Sequence, residues 1–154
     1  MLLSEPGKKE LGQISKKFNI GGVPVNGADI PYNAGCTACV VLLTKTDIYV
    51  ANAGDTRCVL GSKGKSKDLS IDHKPDLPAE KRRVERAGGI VDDGRVQGVI
   101  AISRAVGDWE YKNTSLKPEE NMVTCYPEVI IEPLKSNHDF LIIACDGIWD
   151  CLTS

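Results

Sequence analysis

No stretch of this chain is apolar for long enough to span a bilayer; runs such as Cys39–Leu43 and Phe140–Ile143 have the length of a strand. Met1-Leu2-Leu3 passes at once into Ser4-Glu5-Pro6-Gly7, so no signal-peptide apolar region is present. A charge excess is also missing. Nineteen Lys and Arg face 21 Asp and Glu, and the net charge of −2 gives no pull toward nucleic acid or an anionic membrane. Histidine is scarce, with only His73 and His138. Neither an internal repeat nor a low-complexity segment appears. Cys36-Thr37-Ala38-Cys39 has the spacing of a zinc or redox pair but lacks a second Cys/His pair. It also opens a strand-like run, where residues three apart point to opposite faces. The six cysteines lie mostly within apolar runs, as buried thiols of a reducing compartment do.

What is present is ordinary globular usage. The 154 residues, 42% hydrophobic and 26% charged, suffice for one domain with a real core. Leu11, Ile14 and Phe18 have helical spacing, and the Gly-, Pro- and Asn-rich stretch 21–35 reads as a loop. Strands are predicted over 36–43, 48–53 and 56–60, with a further short one over 67–71. Pro78 opens a helix over 79–87 that Gly88-Gly89 ends. A hairpin follows around Asp93-Gly94, then a buried apolar run over 99–102. Residues 109–121 are a polar surface insertion, 123–134 are extended, and 140–143 form a buried strand. Strands dominate, largely antiparallel, with few helices set apart from them, which predicts an α+β fold with helices packed on sheets.

The candidate chemistry sits at corners between strands. Ala144-Cys145-Asp146-Gly147-Ile148-Trp149-Asp150 takes the last strand through a sharp turn into a helix. With helical spacing, Asp146 and Asp150 point the same way. Such carboxylates suit a hard cation such as Mg²⁺ or Mn²⁺. A helix cap at Asp146 and a solvated Asp150 fit the heptapeptide equally well. Asp55 follows Gly54, and Asp108 follows Gly107, each at a strand break. One Gly-Asp is ordinary turn chemistry. Several at strand ends, brought to one end of a sandwich, would make a carboxylate cluster that needs a metal to offset its repulsion.

Five segments in order carry a resemblance: Asn52-Ala53-Gly54-Asp55-Thr56-Arg57, Asp72-His73-Lys74-Pro75, Ala87-Gly88-Gly89, Ser103-Arg104-Ala105-Val106-Gly107-Asp108 and Cys145-Asp146-Gly147-Ile148-Trp149-Asp150. The chain resembles the metal-dependent Ser/Thr protein phosphatases of type 2C from Gly35 onward, and residues 2–34 are similar to the helix and loop that precede the central strands. The resemblance implies two antiparallel β-sheets in a sandwich flanked by α-helices, in α-β-β-α layers. It implies hydrolysis of phosphoserine and phosphothreonine in proteins with two or more Mg²⁺ or Mn²⁺ ions. By motif, Asp146 would be a direct metal ligand. Asp55, Asp146 and Asp150 would surround a further, weaker metal position, and Asp108 would support the site. Residues 109–122 would form the flap beside the cleft. The implied partners are phosphoprotein substrates, met by a monomer in the cytoplasm or nucleus.

Parts of the family pattern are missing from this stretch. There is no Asp-Gly-His-Gly, no Glu-Asp pair or phosphate-gripping Arg before it, and no later Asp-Asn. His73, in its Asp-His-Lys-Pro setting, and His138, in a turn, match no proton donor, and His73 reads as structural. The 154 residues are therefore expected to be the central portion of a catalytic domain, incomplete at both ends and stopping inside the helix that Asp150 begins. The alternative is a catalytically inactive truncated form or pseudophosphatase acting as an interaction protein.

Overall fold

The computed structural model describes residues 34–154 together with the backbone of two short strands before them, β1 (Gly22–Val25) and β2 (Ala28–Pro31), and helical backbone at Lys9 and Gln13. The predicted amphipathic helix through Leu11, Ile14 and Phe18 lies outside the described residues. The stretch read as a loop over 21–35 instead carries an antiparallel hairpin, with Val25 opposite Ala28. The signal was Asn26-Gly27 between the strands, the dipeptide that two-residue hairpin loops favour.

Six strands make the body of the fold. β4 (Ala38–Leu43), β5 (Asp47–Ala53) and β11 (Glu128–Pro133) form one antiparallel sheet, ordered β11-β5-β4. β6 (Arg57–Ser62), β7 (Lys65–Asp68) and β12 (His138–Ala144) form the second, ordered β12-β6-β7. Alternation along β5 sends Ile48, Val50 and Asn52 inward. With Cys58 and Leu60 of β6, and with Leu69, Ile48 and Val50 make one core shared by both sheets, which Cys39, Val41 and Leu141 flank. Lys67 of the second sheet also pairs with the buried Glu132 of the first, at 2.6 Å.

The outward rows of the same sheets are apolar and exposed. Val40, Leu42, Val129 and Ile131 stand on one outer face, and Phe140 and Ile142 on the other, each at least 45% exposed. Among the described residues these rows stay exposed, with Ile148, Trp149 and Leu152 bordering the second. Helix α1 (Pro78–Arg86) belongs to a second packing centre, where Val84 meets Val96, Ala105, Tyr111 and Val123. β8 (Val91–Asp92) and β9 (Arg95–Val96) form the small hairpin predicted around Asp93-Gly94.

Several details differ from the sequence expectations. The strand over 36–43 is broken at Thr37: β3 (Gly35–Cys36) pairs with β10 (Val106–Gly107), and β4 starts afresh at Ala38. The strand expected over 67–71 runs over Lys65–Asp68, because its pairing with β6 starts at the turn, Ser62 opposite Lys65. The run 99–102 is not buried as a whole. Val99 is 63% exposed, because a tight turn returns the Val99 and Ile100 amides to the Val96 carbonyl and pushes Val99 to the tip. His138 lies not in a turn but at the first position of β12, opposite Ser62, where alternation tucks its ring toward Glu132.

Candidate functional site

Five strand ends meet at one end of the sandwich. Ala38, the first residue of β4, pairs with Ala53, the last of β5, and Glu128, which opens β11, pairs with Asn52. In the second sheet Arg57, which opens β6, pairs with Ala144, which closes β12. The corner Gly54-Asp55-Thr56 joins β5 to β6 there, and Cys145-Asp146 leaves β12 there. Registry therefore places Asp55 and Asp146 at the same end of the molecule, two residues beyond one cross-strand pair.

The corner at Gly54 is tight. Its φ is +118°, and a Cβ would lie 2.3 Å from the Thr37 methyl, so only glycine fits. The Thr37 and Thr56 hydroxyls bond each other across it at 2.7 Å. Behind it sits His73, 1% exposed. The His73 amide donates to the Gly54 carbonyl at 3.0 Å. Nδ1 of His73 lies 3.2 Å from the Gly54 amide nitrogen and 3.1 Å from the Gly54 carbonyl, and Nε2 lies 3.2 Å from the Glu128 carboxylate. Burial, helped by the positive charge of Arg104, lowers the pKa of His73, consistent with a neutral ring. His73 is thus structural in a definite sense, because it buttresses the corner that carries Asp55. Asp55 is itself buried, and the Lys74 ammonium is bonded to its carboxylate.

At the neighbouring corner Asp146 is the first residue of α2 (Asp146–Trp149), and Asp150 closes it, with the Asp150 amide bonded to the Asp146 carbonyl at 2.8 Å. Both side chains are exposed and share one face. Asp146 is not the cap: Cys145 holds that position, without a side-chain capping bond. Nor does Asp150 begin a helix; α2 ends at Trp149 and a turn carries the chain to Cys151.

Asp108 follows β10, on the β3–β10 pair rather than on either sheet of the sandwich. It is buried in the left-handed region (φ 50°), packed so close to Gly35 that a Cβ there would overlap its carboxyl group. Burial raises its pKa, with Lys112 opposing. The Lys112 ammonium donates to the carbonyls of Ala105 and Gly107, tying the polar insertion to this strand end.

Sequence reasoning missed a second charged centre. Glu80, 3% exposed, bonds Ser103 Oγ, the Arg104 guanidinium at 2.7 Å and Arg83 at 2.8 Å. Arg83 continues to the carbonyls of Asn121 and Ser103. Burial would raise the Glu80 pKa, but Arg104, Ser103 and Arg83 together outweigh it and bring it down to about 2. The i,i+3 spacing of Glu80 and Arg83 was a usable signal for that pair. Nothing local pointed to Ser103 or Arg104.

These residues offer oxygen donors of the type that hard divalent cations take. They do not form a closed metal site: among the described residues no three His, Cys, Asp or Glu side chains are grouped closely enough to hold an ion. Asp146 and Asp150 are free to the solvent, while Asp55 is already satisfied by Lys74.

Comparison with known proteins decides the family. The profile of "Protein phosphatase 2C" matches residues 6–154, and the chain belongs to this family. It is 55% identical over 121 residues to Protein phosphatase 2C homolog 3 of Schizosaccharomyces pombe, covering 79% of this chain and 29% of that protein. It is 50% identical over 123 residues to Probable protein phosphatase 2C 60 of Arabidopsis thaliana, covering 79% of this chain and 34% of that one. Among solved structures, a phosphatase from Toxoplasma gondii superposes with a TM-score of 0.61 at 42% identity, over 66% of this chain and 32% of its own. A second, serine-threonine phosphatase 2C from the same organism, has a TM-score of 0.69 over 97% of this chain and 49% of its own; at 23% identity it shows the fold alone. The chain thus spans about a third of the length of the curated relatives it matches. The α+β fold with antiparallel sheets is the one expected from sequence. No helix among the described residues is long and apolar enough to cross a membrane.

Proposed function

We propose that the protein to which this chain belongs is a metal-dependent serine/threonine phosphatase acting on phosphoproteins. The observation that carries this reading is the convergence of Asp55 and Asp146 on one end of the sandwich, in a member of this family. The ions would be Mg²⁺ or Mn²⁺, with Asp146 a direct ligand of the pair, Asp55, Asp146 and Asp150 around a further, weaker position, and other ligands beyond those described. When bound they supply an activated water for attack on phosphorus and offset the phosphoryl charge. His73 and Gly54 fix the corner from which Asp55 reaches the site. Lys74 balances the Asp55 charge, a role that a bound cation would share. Asp108, held by Gly35 and Lys112, supports the adjoining strand end, and residues 109–122 are the flap beside the cleft. A reducing compartment, the cytoplasm or nucleus, is supported by six free cysteines, although Cys58 is buried while Cys36, Cys125, Cys145 and Cys151 are exposed, against the expectation of buried thiols.

The test is phosphate release from a phosphothreonine peptide by the whole protein with Mn²⁺. We expect Asp146→Asn to reduce it more than about a hundredfold, beyond what loss of an outer-sphere partner costs. Turnover that persists in Asp146→Asn sinks the assignment. The 154-residue chain alone is expected to show negligible turnover, because two or three carboxylates do not hold a tight pair of ions.

A further inference from the structure

We propose that Arg57 is a positioning residue: by clamping Trp149 it holds the short helix bearing Asp146 and Asp150 at the sandwich end where Asp55 stands. Its importance for function rests on the reading that these carboxylates act together, whereas the clamp itself rests on geometry alone.

Among the described residues little holds helix α2 in place. Four residues are too few for a helix to be stable by itself, since the first turn costs more order than its hydrogen bonds return. It has no side-chain cap, and Asp146, Ile148 and Asp150 are exposed. Its one half-buried side chain is Trp149, whose indole N–H donates to the Ala144 carbonyl at 2.6 Å. The Arg57 guanidinium lies over the indole ring, 5.2 Å from its centroid. Nη1 of the same group donates to Ser154 Oγ at 3.0 Å, so Arg57 grips the segment both at and beyond α2.

The opposite edge of the guanidinium is anchored. Nε and Nη2 donate to the two oxygens of Asp72, at 3.1 and 2.9 Å, in the forked geometry that only arginine provides. Asp72 precedes His73, the residue that buttresses Gly54 and hence the Asp55 corner. One side chain therefore joins three of the five sequence segments singled out above: the corner with Asp55, the segment with His73, and the turn with Asp146 and Asp150. Position explains the choice. Arg57 is paired across the sheet with Ala144, the residue whose carbonyl holds the indole, so its side chain starts beside the site it clamps.

Amide hydrogen exchange in the whole protein to which this chain belongs tests the clamp without metal or substrate. Arg57→Lys keeps the charge but loses the fork and most of the stack. We expect the Asp150 and Leu152 amides, bonded to Asp146 and Ile148, to exchange about tenfold faster, as a local opening does. The Leu69 amide, bonded to Cys58 in the sandwich core, should stay unchanged. Equal acceleration at both places, or none at either, overturns the proposal. Trp149→Phe provides a second route should Arg57→Lys fold poorly: it removes the indole N–H and weakens the stack while keeping an aromatic ring, and should give the same local pattern. In the double variant the local effect should be no larger than in the stronger single variant; full additivity would mean that the two side chains act separately. Mn²⁺ binding by the unaltered whole protein is read separately. Its absence would count against the metal reading of Asp146 and leave the exchange result to decide the clamp.

Discussion

The described residues pack around two centres built on different principles. The sandwich core is apolar: Ile48, Val50, Cys58, Leu60 and Leu69 meet across two sheets, and cross-strand registry fixes their places. The centre around α1 has apolar contacts too, but its interior is wired by charge, with Glu80 bonded to two arginines and a serine. Removing atoms from the first opens a cavity. Removing one partner from the second strands charges away from water. The difference shows where each kind of change does harm, and it separates the elements that build the fold from those that orient the strand end carrying Arg104 and Asp108.

The largest effect is expected in the apolar core. Leu60→Ala, at a site 2% exposed, should cost about 3–4 kcal/mol in denaturant unfolding. The loss should be the same at pH 7 and pH 5, because no titrating group is removed. A pH-dependent loss would break the distinction between the two centres.

Glu80→Gln should cost somewhat less, about 3 kcal/mol at neutral pH, because Arg83 and Arg104 lose their buried partner. Its signature is in acid. The folded pKa of Glu80 lies at about 2, below its ordinary 4.5, so the carboxylate's contribution is complete above about pH 4.5 and fades as the pH falls toward 2. The unaltered chain should therefore lose stability over that window more steeply than Glu80→Gln. Parallel pH–stability curves would mean that the cluster contributes nothing through its charge.

The smallest effect on stability belongs to the outward rows. Val129→Thr with Ile131→Thr, both 55% exposed, should change unfolding free energy by no more than about 0.5 kcal/mol per site while raising solubility. The unaltered chain, whose described residues leave apolar outer faces and strand edges uncovered, is expected to aggregate as its concentration rises. A cooperative melt at high concentration would show that these rows are innocuous.

The apolar centre was legible in the sequence and the charged one was not. Strands β5 and β12 announce themselves by their apolar composition, but the run 140–143 is not the buried strand read from it, since Phe140, Ile142 and Ile143 are at least 45% exposed. Helix α1 was legible from Pro78 at its start and Gly88-Gly89 at its end. The break at Thr37 was not, since β3 and β4 read as one apolar run and only the pairing of Cys36 with Val106 separates them. At the candidate site the aspartates were visible as Gly-Asp and Asp-Gly corners. Their partners were hidden by distance along the chain: Glu128 lies 55 residues from His73, and Ser154 lies 97 from Arg57.

Sequence alone determined the residue types that local geometry demands: glycine at the Gly54 corner, alternating apolar residues in the strands, and proline and glycine at the ends of α1. Those choices answer to backbone torsion and to the period of each element, which neighbours in sequence set. Only the tertiary structure decided that Asp55 faces Lys74, that Asp108 is packed against Gly35 while Asp146 is left in solvent, and that one guanidinium spans Asp72, Trp149 and Ser154. Contacts of this kind depend on which strand ends the registry brings together, and registry is fixed by the packing of the two sheets as a whole.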